Sequence, residues 1–454
     1  MKHIHLIGIG GTGLSAIATV LLESGYVVSG SDVQASETAA KLAKQGATVT
    51  IGHKAENLTD ADVVVASSAV TADNPEVVAA NARGLPVLKR ADFLGQLMSG
   101  RFGIAVAGTH GKTTTTAMIS YLLLGAELDP SFIVGGVLAD LGTNARHGNG
   151  APFVIEADEY DGMFLGLKPV VAVVTNVEHD HPDCYPTLDD YRRAFEQFVS
   201  LIPGEGVLIA CGDDAGARQL GEWARQKGLR VIWYGLKNDP SWKAENIQAN
   251  GAGGNDFIVV HDGATVGLAR IRLPGLQNVS NSLAALAAVS VLGVEFNTVR
   301  EVLAEFRGVG RRFEVKGEVR GITVVDDYAH HPTEIRATLA AARRRYGPRQ
   351  IWAMFQPHTF SRTRALLADF AASFGEADHV LVTDIFRSRE LFDPSVSAKD
   401  IVAQMSHADA RYVPTLAEAT QVLMAEMKSG DILITLGAGD SNTVGEGVLR
   451  AMGA

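Results

Sequence analysis

Residues 105–118 read AVAGTHGKTTTTAM, an apolar strand end that runs into two glycines, a lysine and a row of hydroxyls. Those types at that spacing suit a nucleoside triphosphate. Successive backbone N–H groups can cradle phosphate oxygens, the Lys112 ammonium can neutralise them, and the Thr113 hydroxyl can sit on magnesium. Val106 stands where the full G-x-x-x-x-G-K-[ST] pattern has its first glycine, so the match lies in the physical parts: strand, glycine turn, lysine and hydroxyl at a helix start.

Two acidic or histidine-bearing stretches follow other apolar runs. EADEYD, residues 156–161, puts four carboxylates in six positions directly after a strand. Ligands of open α/β sheets gather at the carboxyl ends of strands, so Glu156 is expected beside the phosphate loop as a magnesium ligand. TNVEHDHPD, residues 175–183, offers His179, Asp180 and His181, with Cys184 nearby. No second ligand pair stands at zinc spacing, which leaves a histidine on a second magnesium or a locally bonded loop histidine.

A second phosphate-type signature opens the chain. In HLIGIGGTGLSAIA, residues 5–18, Gly8, Gly10 and Gly13 satisfy G-x-G-x-x-G between a strand and a helix, and Asp32 ends the next strand. Glycine allows the tight turn and close backbone approach, while the helix start offers N–H groups to a pyrophosphate. The reading is a diphosphate-bearing nucleotide. Alone, this motif would suggest a nicotinamide dehydrogenase; the second loop argues against that.

The elements that must hold these loops alternate. HIHLIGIG, VVSGSD, VVVASSAV and LPVLKR read as strands, with LSAIATVLLESG and SETAAKLAKQGA as helices between them, the pattern of a parallel sheet. A second α/β unit starts at GIAVAG and includes PFVIEAD, VVAVVTN, VLIACG and RVIWYGL; residues 244–273 turn β-rich and glycine-punctuated, as an antiparallel flap would. A third unit repeats strand–helix alternation through ITVVDD, QIWAMFQ, HVLVTDIF and DILITLGAG. The expectation is three consecutive α/β domains: 1–98 Rossmann-like, 99–313 a P-loop-type ATPase domain with a small β flap, and 314–454 Rossmann-like.

Bulk properties narrow the function. With 454 residues, 46% apolar and 20% charged, the chain has the make-up of a globular enzyme of several domains. A net charge of −11 argues against non-specific nucleic-acid binding. Two cysteines, Cys184 and Cys211, cannot make a disulfide framework and fit a reducing cytoplasm. The N-terminus reads as a first strand rather than an export signal, and no apolar run of membrane-spanning length appears. A monomer and a homodimer are both open.

Taken in order, the motifs GIGGTGLS, SSAV-x-x-x-NPE, AGTHGKTTT, EADE-x-D, TN-x-x-x-DH, PG-x-x-N-x-x-N, G-x-GRRF, DDYAHHPTE, FQPH-x-x-SRT and GAGD resemble those of the Mur ligases, ATP-dependent amide-bond-forming enzymes of peptidoglycan synthesis. The resemblance spans essentially the whole chain. It implies that the first loop, with Gly8, Gly10, Gly11, Gly13, Ser15, Asp32, Ser67 and Ser68, binds the UDP-sugar. It also implies that Gly108, Thr109, His110, Gly111, Lys112, Thr113 and Thr114 bind ATP, with Asn278, Asn281, Arg312 and Asp327. Lys112, Glu156 and His181 would be catalytic; Thr113, Glu156 and His181 would hold two Mg²⁺ ions; His331, His358 and Arg362 would meet the amino acid.

Within the family, YRRAFEQF after the DH motif lacks the lysine that several siblings carbamoylate, as in the alanine-adding branch. EADEYD also continues without the longer segment of the tripeptide-recycling ligase. The implied reaction joins L-alanine to the lactyl carboxylate of UDP-N-acetylmuramate through an acyl phosphate. Alternatives are the tripeptide-recycling ligase and a non-catalytic nucleotide-binding regulator. Lys112→Ala is expected to abolish phosphate release and leave thermal unfolding nearly unchanged.

Overall fold

The computed structural model describes residues 2–453. It contains three β-sheets, in keeping with a three-domain α/β architecture. The first is five-stranded and wholly parallel, in the order Thr48–Ile51, Val27–Asp32, His3–Ile7, Val63–Ala66, Val87–Lys89. The strand His3–Ile7 lies at its centre with every residue buried, so the glycine loop that follows springs from the most constrained part of the sheet. Thr48–Ile51 escaped the sequence reading because it is a four-residue edge strand whose burial shows no alternation.

By contact density the chain forms two compact units: Met1–Glu178 with Arg192–Lys243 and Leu283–Val302, and His179–Tyr191 with Ala244–Ser282 and Leu303–Ala454. The first unit holds the five-stranded sheet and a run of seven further strands. Their order is Arg230–Gly235, Val207–Cys211, Val171–Val174, Phe102–Ala107, Pro152–Glu156, Ser131–Leu138, Thr143–Arg146. Phe102–Ala107 is flanked in parallel by Val171–Val174 and Pro152–Glu156, which sets the triphosphate-type loop between the acidic stretch and the TNVE stretch. Ile104, Ala105 and Val106 are fully buried, and each large apolar side chain so placed contributes ~1.5–3 kcal/mol. The loop therefore has a stiff base.

The second unit contains the expected flap and the third sheet. Asn255–His261 and Ala264–Ile271 form an antiparallel hairpin with a register shift at Val259/Val260. The third sheet runs Glu314–Val319, Ile322–Asp327, Ile432–Leu436, Ile351–Phe355, His379–Val382, Ala410–Tyr412, antiparallel only at its first pair. Its two faces bury separate clusters, one around Ile335, Phe355 and Phe374, the other around Trp352, Leu423 and Val448.

Helix starts divide by what satisfies them. Ser36, Asp214 and Thr415 each accept an N–H of the helix they precede. The helices Thr12–Glu23 and Lys112–Gly125 begin at Gly11 and Gly111 with no side-chain cap, leaving their first N–H groups to other acceptors.

Candidate active site

Within the first unit, the triphosphate-type loop is braced from the TNVE stretch. His110 N–H donates to Asn176 Oδ1 at 2.8 Å, the Thr109 hydroxyl donates to the Glu178 carbonyl at 2.8 Å, and Glu178 N–H returns a bond to Thr109 Oγ1 at 2.9 Å. Gly108, at φ +136°, has no room for a side chain: a Cβ there would lie 2.0 Å from Thr175 Oγ1. His110 Nε2 lies 2.9 Å from Glu178 Oε2. Asn176 and Glu178 were not singled out from sequence, although TNVE placed them at a strand end beside the loop.

Lys112 faces its own loop and the acids. Its ammonium donates to the Gly108 carbonyl at 2.5 Å and the Thr109 carbonyl at 3.1 Å, and lies 3.0 Å from both Glu159 oxygens. Burial works against its charge, but Glu159, then Glu156 and Asp158, outweigh burial and raise its pKa above the ordinary lysine value. Glu159 is 1% exposed. Four acids stand in this stretch, and Glu156 is the one favoured from sequence; which of them turns inward to the lysine depends on the backbone bend at Asp161 and Gly162, both with positive φ.

Thr113 and Glu156 form the hard-oxygen pair expected for magnesium. The Thr113 hydroxyl donates to Glu156 Oε1 at 2.9 Å, and Glu156 Oε2 accepts from Gly135 N–H at 2.7 Å. A hydroxyl and a carboxylate held together at the start of an uncapped helix suit Mg²⁺ bound jointly by protein and phosphate oxygens. Thr114 lies buried one position on.

The first glycine loop, in the same unit, is tied to the second strand. Gly8 and Ile9 N–H groups donate to the Ser31 carbonyl at 2.8 and 3.0 Å, and Gly10 N–H donates to Asp32 Oδ2 at 2.9 Å. Asp32 thus shapes the loop. Gly11 N–H closes on Gly8 O, and Ser15 N–H on Gly11 O. Over Gly13 lies Arg90, whose Nη1 would be 1.7 Å from any Cβ at that position. Arg90 Nη2 is 3.3 Å from Asp158 Oδ2, so one guanidinium links the first loop to the acidic stretch. A cavity of about 680 Å³ opens beside it, lined by Ser67, Ser68, Lys89, Arg90, Asp161 and Met163 among others. Arg90 was missed because it ends LPVLKR with no motif around it.

The second unit holds the other predicted residues and gathers His181, His358 and Arg362 around Asp180. Arg362 and Asp180 form a buried pair, Nε to Oδ1 at 2.9 Å, each about 5% exposed or less. Burial alone would push the Asp180 carboxyl up; Arg362, then His181 and His330, hold it well below the usual range. His181 follows with φ +54°, a conformation unusual for a non-glycine residue, and its N–H donates to Asp180 Oδ1 at 2.7 Å. His358 Nδ1 lies 3.2 Å from Arg362 Nη1, and burial, then His330 and Arg362, lower its pKa to about 3. His330, the first of the two histidines in YAHHP, lies edge-on to His358 at 6.0 Å; burial lowers it to about 4.

Five residues take structural posts in this unit. His331 caps the helix Pro332–Tyr346, its Nδ1 accepting from Thr333 N–H. Asp327 accepts from Phe313 N–H at 2.9 Å, Ala329 N–H at 2.8 Å and the Thr338 hydroxyl at 3.2 Å, and burial raises its pKa to about 6 against the pull of Arg312. Asn278 and Asn281 are buried in the first turns of the helix Leu276–Val291, joined by a 3.2 Å bond. Arg312 stacks over Tyr328 at 5.1 Å.

Three family descriptions match the chain in succession: Mur ligase family, catalytic domain, over residues 3–102; Mur ligase middle domain over 106–289; and Mur ligase, glutamate ligase domain, over 311–439. The chain is 45% identical to the UDP-N-acetylmuramate–L-alanine ligase of Roseiflexus castenholzii, covering 99% of this chain and 98% of that protein. It is also 45% identical to the Alkaliphilus metalliredigens protein of the same name, covering 97% and 95%. Among solved structures, a UDP-N-acetylmuramate–alanine ligase from Thermotoga maritima superimposes with a TM-score of 0.81 at 30% identity over 99% of both chains. A murein peptide ligase from Psychrobacter arcticus gives 0.72 at 27%, covering 100% and 99%.

Proposed function

The chain belongs to the Mur ligase family, and from that premise we infer that it joins L-alanine to UDP-N-acetylmuramate at the expense of ATP. The observation that carries the chemistry is the Thr113–Glu156 pair beside the half-buried Lys112, at the foot of a helix whose N-terminus no side chain caps. Full-length identity to alanine-adding relatives supports the choice of acceptor over the tripeptide reading.

A carboxylate resists attack by an amine because it is already anionic. Transfer of the ATP γ-phosphoryl group to the lactyl carboxylate gives an acyl phosphate, and the alanine amine then attacks the acyl carbon and releases phosphate. Lys112 and the loop N–H groups from Gly108 to Thr114 position the phosphates and offset charge on the transferring group. Thr113 and Glu156, with His181 for a second ion, would hold Mg²⁺, which when bound screens the phosphate oxygens from the incoming carboxylate. We assign Gly8, Gly10, Gly11, Gly13, Ser15, Asp32, Ser67 and Ser68 to the sugar nucleotide, and add Arg90, which lies over Gly13 and with Ser67 and Ser68 lines the neighbouring cavity. Asn278, Asn281, Arg312 and Asp327 are assigned to the nucleotide side, and His331, His358 and Arg362 to the amino acid. For Asp327 and His331 this role adds to the structural one already described.

We place domain limits at 98 and 313, and the enzyme in the cytoplasm as a monomer or homodimer. Cys184 and Cys211 are both free thiols, and among the described residues no helix is long and apolar enough to cross a membrane. The test is phosphate release with ATP and UDP-N-acetylmuramate, with and without L-alanine, glycine, L-serine or the tripeptide. Release that requires L-alanine is expected. Release driven better by the tripeptide would shift the assignment to recycling, and none with any acceptor would leave a nucleotide-binding regulator.

A further inference from the structure

The first strand carries a pattern that ligation leaves unused. His3 and His5 alternate along His3–Ile7, so both imidazoles fall on one face, and Ser29 and Ser31 alternate along the neighbouring strand. A continuous polar chain results. Asp60 Oδ1 meets His3 Nδ1 at 3.0 Å, and His3 Nε2 and His5 Nδ1 both lie 2.8 Å from Ser29 Oγ. His5 Nε2 reaches Glu76 Oε2 at 3.2 Å. The Ser31 hydroxyl donates to the same Glu76 oxygen at 2.6 Å and lies 2.8 Å from His53 Nδ1. The other Glu76 oxygen accepts from Lys54 N–H at 3.1 Å and from the Asn57 amide.

Glu76 is 0% exposed, although it stands in the first turn of the helix Pro75–Ala82, where an acid ordinarily faces water. Burying a carboxylate is costly unless several donors converge on it, as they do here. The hub lies one residue from the sugar-nucleotide loop. Ser31, whose hydroxyl is held by Glu76, accepts Gly8 and Ile9 N–H groups on its carbonyl, and Asp32 accepts Gly10 N–H. Three consecutive N–H groups of the loop are thereby fixed by a dipeptide that Glu76 anchors.

We propose that Glu76 is a positioning residue for the first glycine loop, setting through Ser31 the backbone on which affinity for the sugar nucleotide's diphosphate depends. This rests on the assignment of that loop to UDP-N-acetylmuramate. Glu76→Gln keeps the shape but turns an acceptor into an amide donor facing Ser31 and His5. The KM for UDP-N-acetylmuramate is expected to rise about tenfold, the scale of one weakened charge-assisted hydrogen bond. The kcat and the KM values for ATP and L-alanine stay within about twofold, since those groups bind elsewhere.

A merely structural role would lower the active fraction, and so kcat, with every KM unchanged; that result overturns the proposal. Ser31→Ala removes the hydroxyl and keeps the carbonyl that holds Gly8 and Ile9, and the same selective rise is expected. Should Glu76→Gln not fold, an unchanged KM in Ser31→Ala refutes the proposal. Protection of the Gly8–Gly13 amides from hydrogen exchange by UDP in the wild type checks the loop separately. Its absence removes the assignment and this proposal together, whereas protection with unaltered KM values in the variants removes the positioning role alone.

Discussion

Lys112→Ala separates the chemistry of the phosphate loop from its stability. The Lys112 ammonium lies 3.0 Å from both oxygens of Glu159, which is 1% exposed. Removing it deprives a buried carboxylate of that counter-charge, which in buried pairs costs ~3–5 kcal/mol. The cost has a ceiling, because Glu159 can take up a proton instead. From an ordinary glutamate pKa near 4.3, holding the carboxyl neutral at pH 7 costs about 3.7 kcal/mol, and this ceiling falls by about 1.36 kcal/mol for each unit of pH. Lys112→Ala is therefore expected to lose ~3 kcal/mol at pH 7 and only ~1 kcal/mol at pH 5. This replaces the sequence-based expectation of nearly unchanged unfolding, since the partner of Lys112 is a tertiary fact. Adding Glu159→Gln removes the buried charge that faced the lost ammonium and restores most of the stability at pH 7, while phosphate release stays abolished. Urea unfolding followed by tryptophan fluorescence at pH 5, 6 and 7, with phosphate release on the same preparations, makes the measurement. A single variant as stable as wild type at pH 7, or a double variant no more stable than the single, refutes the reasoning. Retained turnover would remove Lys112 from the chemistry.

Two further outcomes are expected. Hydrogen bonds from His5, Ser31, Asn57 and the Lys54 N–H overcome the opposing effect of burial and bring the Glu76 pKa from 4.5 to about 2. Its stabilisation is fully present above the unfolded value and is lost as pH falls toward 2, about 3 kcal/mol at roughly 1.36 kcal/mol per unit. Acid titration of Glu76→Gln should lack that slope, and a profile parallel to wild type would contradict the reading. Gly13→Ala should displace the Arg90 side chain rather than unfold the chain, because the clash is with the end of a flexible group. It is expected to raise the KM for UDP-N-acetylmuramate in wild type and to add nothing in an Arg90→Ala background; additive effects of the two substitutions would contradict that.

Much of the fold was legible because its signals are local. The apolar runs ending in Gly8, Gly108, Glu156 and Thr175 announced strands with loops at their carboxyl ends, and strands do end there, each followed by one of the candidate loops. Edge strands such as Thr48–Ile51 and Thr143–Arg146 were not legible: they are short and half-buried, and pairing with a neighbour rather than their own residue pattern makes them strands. The two histidines of YAHHP show the same limit. Either could have been chosen, but only the turn into the helix sets His331 at the cap and His330 against His358.

The sequence by itself determined which groups exist to do chemistry: a lysine and hydroxyl after a glycine turn, an acid at a strand end, and a second glycine loop. Their order along the chain is enough because each loop is built by its own strand and helix. The tertiary structure alone decided the partners. Glu159 takes the lysine, Asp180 takes Arg362, Arg90 covers Gly13, and Glu76 leaves its helix terminus to sit beneath the first loop. A buried charge accepts whichever opposite charge or donor the packing brings within about 3 Å, and that distance is set by chain segments far apart in sequence.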